Sequence, residues 1–168
     1  MILEIKKYPD PVLRKKASPV ENIDAEIQMF IDDMFETLYS APGIGLAATQ
    51  VGELKRIIVI DIGIKEGGIP PIALINPEII AEEGNVMAEE GCLSVPEYTS
   101  EVKRAEKISV RGIGRDGLKK EFDAIGLLAR AIQHEIDHLN GILFIDRISP
   151  LKRQIFKKRY RKKVTIRG

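Results

Sequence analysis

Both histidines of this 168-residue chain lie in one short stretch, QHEIDHLNG, at residues 133–141. The apolar spacing predicts a helix over residues 127–139, and the Asn-Gly pair at 140–141 is typical of a helix C-terminus. His134 and His138 are four positions apart, so a helix places both imidazoles on one face. Such a pattern also arises by chance, but burying two unpartnered imidazoles costs stability. We therefore expect a metal ion to be bound between them.

The pattern His-Glu-x-x-His also places Glu135 beside the two imidazoles as a candidate general base. The third ligand must come from outside the helix, because the chain has no third histidine. Asp146 is the nearest downstream carboxylate. Cys92, in EEGCLSVP, is the better candidate, since a thiolate is a strong ligand for a divalent transition metal. A thiolate and two imidazoles leave one coordination position open, which is typical of a catalytic site.

A second stretch with candidate chemistry is GIGLAATQ, at residues 43–50. It fits the Gly-x-Gly-x-x-Ala form of a dinucleotide-binding fingerprint. However, a predicted helix precedes it and a predicted strand follows it, which is the wrong context for that function. The glycines allow the backbone to approach a ligand closely. Gln50 is either a structural hydrogen-bonding residue or a donor to a developing oxyanion.

The remaining pattern predicts a single domain over residues 1–168 with an α+β fold, its mixed or antiparallel strands packed around the central metal-binding helix. An N-terminal helix capped by Asp24 runs to residues 41–43, and a basic helix over about 150–168 ends the chain. Residues 9–20, PDPVLRKKASPV, predict an extended surface segment. Strand and turn segments are expected at residues 55–63, 70–80 and 84–96, with a hairpin over 106–126.

The charge of the chain is balanced, with 26 lysines and arginines against 25 aspartates and glutamates, so we expect no DNA binding. Residues 152–167 are strongly basic and contain no acidic side chain. They form either a solvated helix face or a docking segment for a polyanion such as RNA. No apolar run approaches the ~20 residues that cross a bilayer. The N-terminus lacks an apolar signal core, and the lone cysteine excludes an internal disulfide. These features predict a cytoplasmic protein without membrane contact.

Three segments, GIGLAATQ at 43–50, EGCLS at 90–94 and QHEIDHL at 133–139, resemble in order and spacing the three motifs of the peptide deformylases. The similarity extends through YPDPVLR, RIIVID, LINPEI and GILFIDRISPLK. The resemblance implies a hydrolase that removes the formyl group from N-formylmethionine of nascent polypeptides, by attack of a metal-bound hydroxide. It implies one divalent ion, preferentially Fe²⁺, with Zn²⁺ or Ni²⁺ also able to occupy the site.

The same resemblance implies roles for individual residues. The metal ligands are implied to be Cys92, His134 and His138. Glu135 is implied to be the general acid and base, and the oxyanion is stabilised by Gln50 and the backbone N–H of Leu93. Asp137, between the histidines, is either a solvated helix residue or a support of the site that holds a ligand or a nearby arginine, with Arg104 as the candidate.

The residues implied to contact the substrate are Ile44, Gly45, Glu90, Leu127, Arg130 and Ala131. Gly45 would bind the peptide through its backbone, and the others lie where the family builds its methionine pocket. Arg130 is more polar than the family pattern suggests. Thr99 stands where some members have an arginine beside the peptide groove, which affects the contacts expected at that end of the substrate.

Two other functions fit parts of the sequence. A general metallopeptidase would use the same His-Glu-x-x-His helix, although Cys92 in EGCLS argues for deformylation. A non-catalytic RNA- or ribosome-binding module would use the basic C-terminal segment. That segment resembles the C-terminal helix of the bacterial type I deformylases, which is associated with ribosome docking. The basic run is therefore compatible with a deformylase as well as with a non-catalytic binding module.

Overall fold

The structure of the chain, a computed structural model, describes residues 1–63 and 65–167, and their side chains as far as residue 162. It contains three α-helices: α1 (Ala25–Tyr39), α2 (Gly126–Leu139) and α3 (Pro150–Arg167). Asp24 caps α1 as expected, its side chain accepting a hydrogen bond from Ile27 N–H at 3.0 Å. The C-terminal basic segment is helical to Arg167, as expected. The side chains of residues 163–167 and the whole of residue 168 lie outside the described residues, and so does the expected basic surface at those positions.

Within residues 1–63 and 65–167, seven strands form two antiparallel sheets. The strands are β1 (Gly45–Ala47), β2 (Ile57–Ile60), β3 (Ile72–Glu83), β4 (Val86–Cys92), β5 (Val95–Arg104), β6 (Lys107–Ile113) and β7 (Lys119–Ile125). The larger sheet has the order β1-β2-β3-β6-β7, while β4 and β5 pair as a separate hairpin. All these strand pairs are antiparallel. The fold is therefore α+β, as the sequence predicts.

The larger sheet lies between α1 and α2. Alternate residues of a strand point to opposite faces, and in β2 Ile58 and Ile60 pack with α2, whereas Ile57 and Val59 pack with α1. All four β2 side chains are buried. This arrangement explains why the strand is continuously apolar, because neither face of it reaches water.

A third apolar cluster joins the β4–β5 hairpin to the two ends of the chain. It combines Leu13, Val95, Val102, Phe144 and Phe156 with neighbouring apolar side chains. Leu13 is 1% exposed and lies in a short 3₁₀ turn, Pro11–Arg14. The expectation of an extended surface segment at residues 9–20 is therefore wrong at this point, because the apolar side chain of Leu13 is buried under the hairpin.

Among residues 1–63 and 65–167, no helix combines the length and the hydropathy needed to cross a bilayer. The short strands β1 and β2, at one side of the larger sheet, are buried along their whole length.

Candidate metal centre

The three side chains expected as ligands, Cys92, His134 and His138, converge on one point. One ligand atom of each lies within 4.8 Å of the other two. Cys92 is the last residue of β4, and both histidines lie on α2. The cysteine sulfur is 3.3 Å from His138 Nε2, and the two imidazoles pack edge to face with a centroid distance of 5.0 Å. The hairpin thus brings a thiol to the face that carries both imidazoles.

The orientation of His134 is fixed by Glu90, two residues before Cys92 on β4. The Glu90 carboxylate lies 2.9 Å from His134 Nδ1 and accepts two hydrogen bonds of 2.9 Å from Arg104. Burial alone would raise the pKa of Glu90, but the hydrogen bonds from Arg104 and His134 lower it to about 2. A charged acceptor at Nδ1 retains the proton on that nitrogen and leaves Nε2 available as a ligand atom.

Arg104 connects Glu90 to a second carboxylate on the metal-binding helix. Its Nη1 donates to Asp137 Oδ2 at 2.6 Å, and Arg147 Nη2 donates to Asp137 Oδ1 at 2.8 Å. Arg104 is 4% exposed and Asp137 8% exposed. The contact between Asp137 and Arg104 expected from the sequence is confirmed. This buried charge network ties β4, β5 and α2 together directly behind the ligands.

Glu135 is the buried carboxyl group on the cleft side of α2, with 4% of its surface exposed. Burial raises the pKa of Glu135 to about 7. Its Oε1 has no hydrogen-bond partner among the described residues. Its Oε2 lies so close to Gly45 that a Cβ built there would be 2.6 Å away. The site thus contains a carboxyl group able to accept and return a proton near neutral pH, and Gly45 leaves the space that it occupies.

Gln50 lies in a short 3₁₀ turn, Ala48–Val51, directly after β1. Its Oε1 accepts a hydrogen bond of 2.9 Å from Ala47 N–H, which fixes the orientation of the amide. Its Nε2 donates to Ser94 Oγ at 3.1 Å and lies 3.6 Å from the sulfur of Cys92. Gln50 therefore stabilises the turn through Oε1, and its Nε2 lies beside the sulfur of Cys92.

The N-terminal segment, residues 6–8, crosses between the two loops that carry Gln50 and Leu93. Three hydrogen bonds join them: Lys6 N–H to the Gln50 carbonyl (2.7 Å), Lys7 Nζ to the Leu93 carbonyl (2.9 Å) and Tyr8 N–H to the Ser94 carbonyl (2.7 Å). Two of them are backbone bonds, so they hold the loops at a fixed separation. The donors expected for an oxyanion are thereby held in place by the N-terminal segment.

A cleft of about 660 Å³ opens in front of the ligands. All six residues expected to contact substrate line it: Ile44, Gly45, Glu90, Leu127, Arg130 and Ala131. Glu90 differs from the rest, since its carboxylate is held by Arg104 and His134 rather than free to meet a ligand. Thr99 lies at one end, with its hydroxyl donating to Glu89 at 2.6 Å.

Three further residues contact the site although the sequence analysis did not single them out. Ser94 is buried and lies within EGCLS, so its place beside Cys92 could be found from that motif. Arg147 and Lys7 reach the site from distant segments, and no local pattern marks them. Asp146, the alternative third ligand, instead pairs with Arg14 at 2.5 Å.

The donor set fits a divalent transition metal. In a tetrahedral site with ordinary bond lengths, a sulfur and a nitrogen ligand lie about 3.5 Å apart, close to the 3.3 Å between Cys92 and His138. Burial lowers the pKa of His138 well below its usual value, which favours the neutral ring. Burial acts to lower the pKa of His134 as well, but the charge of Glu135 and the hydrogen bonds to Cys92 and Glu90 outweigh burial and raise it. The half-buried thiol of Cys92 faces the cleft, so the three donor atoms leave the cleft side of the metal position open.

Comparison with known proteins finds a family and individual relatives that match nearly the whole chain. Residues 2–154 match the family model described as polypeptide deformylase. The peptide deformylase of Thermodesulfovibrio yellowstonii is 57% identical over 162 residues, covering 96% of this chain and 98% of the relative. That of Syntrophobacter fumaroxidans is 57% identical over 163 residues, covering 97% and 96%.

Solved structures agree with the sequence relatives. A peptide deformylase from Legionella pneumophila superposes with a TM-score of 0.90 at 45% identity, covering 100% of this chain and 99% of that one. A peptide deformylase from Synechococcus elongatus, solved in complex with actinonin, gives a TM-score of 0.85 at 46% identity, covering 88% of this chain and 81% of that one. The arrangement of helices and sheets is therefore shared with these proteins.

Proposed function

This chain belongs to the polypeptide deformylase family, whose metal-dependent enzymes remove the formyl group from nascent polypeptides, and we propose that Cys92, His134 and His138 hold its metal ion. The observation that carries the proposal is the convergence of one thiol and two imidazoles beside an open cleft, which Cys92 and His134 line. A general metallopeptidase is not favoured, since the full-length relatives are deformylases.

The ion proposed for this site is Fe²⁺, with Zn²⁺ and Ni²⁺ as alternatives. A thiolate with two imidazoles suits iron and zinc better than it suits harder ions such as Mg²⁺. When bound, the ion lowers the pKa of a coordinated water, so that hydroxide is supplied near neutral pH. Metal analysis of protein purified without oxygen identifies the ion, because a thiolate site is sensitive to oxidation.

Glu135 acts as the general base and then as the general acid. Its unpartnered Oε1 accepts the proton that leaves water and returns it to the amine of the departing peptide. Its pKa of about 7 suits both steps, because the two protonation states are then nearly equal in free energy at neutral pH. Gly45 is required beside it, since any side chain there would displace the carboxyl group.

Gln50 and the Leu93 N–H stabilise the negative charge that develops on the formyl oxygen. The Gln50 amide is already oriented by Ala47, so no reorganisation is needed when the charge appears. One such donor contributes on the order of 3 kcal/mol to lowering the barrier. The N-terminal segment at residues 6–8 keeps the loops of Gln50 and Leu93 together, and so holds the two donors in register.

The methionine side chain binds among Ile44, Leu127 and Ala131, with Arg130 at the edge of the same cleft. Gly45 hydrogen-bonds the peptide backbone, as the family resemblance implies. The carboxylate of Glu90 does not contact the side chain of the substrate, because Arg104 and His134 already occupy it.

Replacing the proposed thiolate ligand tests the metal site. We expect Cys92→Ala to lose the bound metal and to release formate from a formylmethionyl tripeptide at least about a hundredfold more slowly, because two imidazoles cannot hold a catalytic ion alone. Metal content and formate release are measured on the same preparation. The matched control is Asp146→Asn, which removes the alternative carboxylate ligand and should retain metal and rate. Full metal content in Cys92→Ala would exclude the proposed ligand set.

Two further properties follow from the substrate. The substrate is a nascent polypeptide, so we propose that the enzyme works in the cytoplasm and binds the ribosome through α3. The exposed basic side chains of α3 support this proposal, since ribosomal RNA is a polyanion. Deleting α3 is a poor test, because Phe156 packs against Tyr8 and Tyr98 and its loss would uncover the third apolar cluster.

Charge reversal tests ribosome binding without removing the helix. Lys157→Glu with Lys158→Glu should weaken co-sedimentation with ribosomes at least about tenfold and increase its sensitivity to salt, since both side chains are exposed. Turnover of a short synthetic peptide should not change. Unaltered ribosome affinity would mean that this part of α3 is only a solvated helix face.

A further inference from the structure

A second groove lies beside the catalytic cleft, between the β4–β5 hairpin and α3. It encloses about 330 Å³. Three of its lining residues, Glu89, Tyr98 and Thr99, also line the catalytic cleft, so the two spaces adjoin along the hairpin. A chain that leaves the cleft past Thr99 therefore enters the second groove.

The helix wall of this groove is fixed in place. Phe156 is 5% exposed and packs against Tyr8 and Tyr98 at centroid distances of 5.4 and 4.7 Å. Tyr160 packs on Tyr8 at 5.0 Å. These aromatic contacts hold the middle of α3 against the body of the protein, so the neighbouring face of the helix has a defined position.

That neighbouring face carries Lys152, Ile155 and Arg159, all of which line the groove. Spacings of three and four residues place them on one side of a helix. Ile155 is 43% exposed and adds an apolar side chain to the groove. No hydrogen bond or ion pair engages the charged ends of Lys152 and Arg159 within the described part of the chain.

The hairpin wall has the opposite charge. Glu89 accepts the hydrogen bond of Thr99, and Glu101 lines the same wall. The groove thus has a cationic wall on α3, an anionic wall on the hairpin, and apolar surface from Tyr98 and Ile155 between them. An extended peptide sends alternate side chains to opposite sides, so it could present an acidic side chain to Lys152 or Arg159 on α3 and an apolar one to Tyr98 on the hairpin.

We propose that this groove binds the segment of the substrate polypeptide that follows the residues held in the catalytic cleft, with an acidic side chain of that segment directed at Lys152 and Arg159. The inference rests on the proposed deformylase function, because the segment is defined by the formylated end of the same chain. Its basis is the continuity of the two spaces and the unpaired cations on one wall. The α3 helix then serves substrate binding with one face, and its outer face is free for other contacts.

Synthetic substrates of two lengths test the proposal in the absence of ribosomes. A formylmethionyl tripeptide fills only the cleft, whereas a nonapeptide also reaches the groove. We expect kcat/KM to be at least about fivefold higher for a nonapeptide with downstream aspartates than for one with lysines at the same positions. The higher kcat/KM should come from a lower KM at an unchanged kcat, since a distant contact stabilises the ground state and the transition state equally.

Charge reversal on the groove face should invert this preference. Lys152→Glu with Arg159→Glu should favour the lysine nonapeptide while the tripeptide is turned over as before, and Ile155→Asp should reduce the gain from length for both nonapeptides. The matched control, Lys157→Glu with Lys158→Glu, makes the same change in charge on exposed positions that do not line the groove. It should keep the preference for aspartate, because neither side chain lines the groove that the peptide occupies.

Three outcomes would overturn the proposal. One is equal turnover of tripeptide and nonapeptides by the unaltered enzyme, and another is a preference that survives reversal at Lys152 and Arg159. The third is an equal loss of preference in the Lys157 and Lys158 control, which would mean that only the overall charge of α3 matters. Failure to turn over the tripeptide at all is a separate result, because it would refute the deformylase function itself.

Discussion

Glu135→Gln should reduce formate release about a thousandfold while the protein remains folded and loaded with metal. A glutamine occupies the same space but cannot take the proton from water or return it to the leaving amine, and such transfer contributes about 10²- to 10⁴-fold to the rate. Glu135 is not among the clustered ligand atoms, so its loss should not release the ion. The measurement is single-turnover formate release from a formylmethionyl peptide, together with metal content.

The effect should be confined to the rate of the chemical step. Because burial already favours the neutral form of Glu135, a neutral amide there should not destabilise the fold. Glu121→Gln, on the exposed part of β7, is the matched control and should match the unaltered enzyme in rate. A Glu135→Gln enzyme within about tenfold of the unaltered rate would rule out the proposed proton transfer.

The largest loss of stability is expected from Arg104→Met. Arg104 is 4% exposed and is bonded to both Glu90 and Asp137. Removing it leaves two buried carboxylates with weaker partners, which costs about 3–5 kcal/mol in the free energy of unfolding. Metal affinity should also fall about 10- to 100-fold, because Glu90 would no longer hold His134 in a fixed orientation.

Urea unfolding, with and without metal, separates the two effects. The control is Arg111→Met, which breaks an ion pair with Glu78 whose side chains are 57% and 60% exposed, and it should cost less than about 1 kcal/mol. If Arg104→Met does not fold, Arg104→Lys retains the charge but not the planar two-sided contact, and should give an intermediate loss. Equal stabilities for the Arg104 and Arg111 variants would show that the buried network does not support the fold.

The ligand cluster could be predicted from the sequence because its signals are local or unique. Two histidines at helical spacing define their own shared face, and a chain with one cysteine offers one thiolate. The helices follow from the 3.6-residue period of their apolar side chains, and β2 from its continuous apolar run. The order of the three motifs then allows the oxyanion donors to be identified by resemblance.

Other parts of the molecule depend on contacts that local sequence does not encode. β5 mixes charged, polar and apolar residues without the regular alternation that marks a strand, and its pairing with β4 makes it one. The position of Glu90 could be inferred from its spacing to Cys92. Residues two apart on a strand face the same side, so the spacing places Glu90 on the side of β4 that carries Cys92 and faces the imidazoles. Lys7 and Arg147 reach the site through tertiary packing alone.

The N-terminal segment that joins the loops of Gln50 and Leu93 has a consequence for how the enzyme becomes active. Lys7 bonds a residue 86 positions away, Gln50 one 44 positions away and Cys92 one 46 positions away. Contacts this distant in sequence form late, because the loops between them must close first. The segment at residues 6–8 therefore completes the site only after β4 and α2 have come together. Substitutions at the site should accordingly speed unfolding and leave the folding rate almost unchanged.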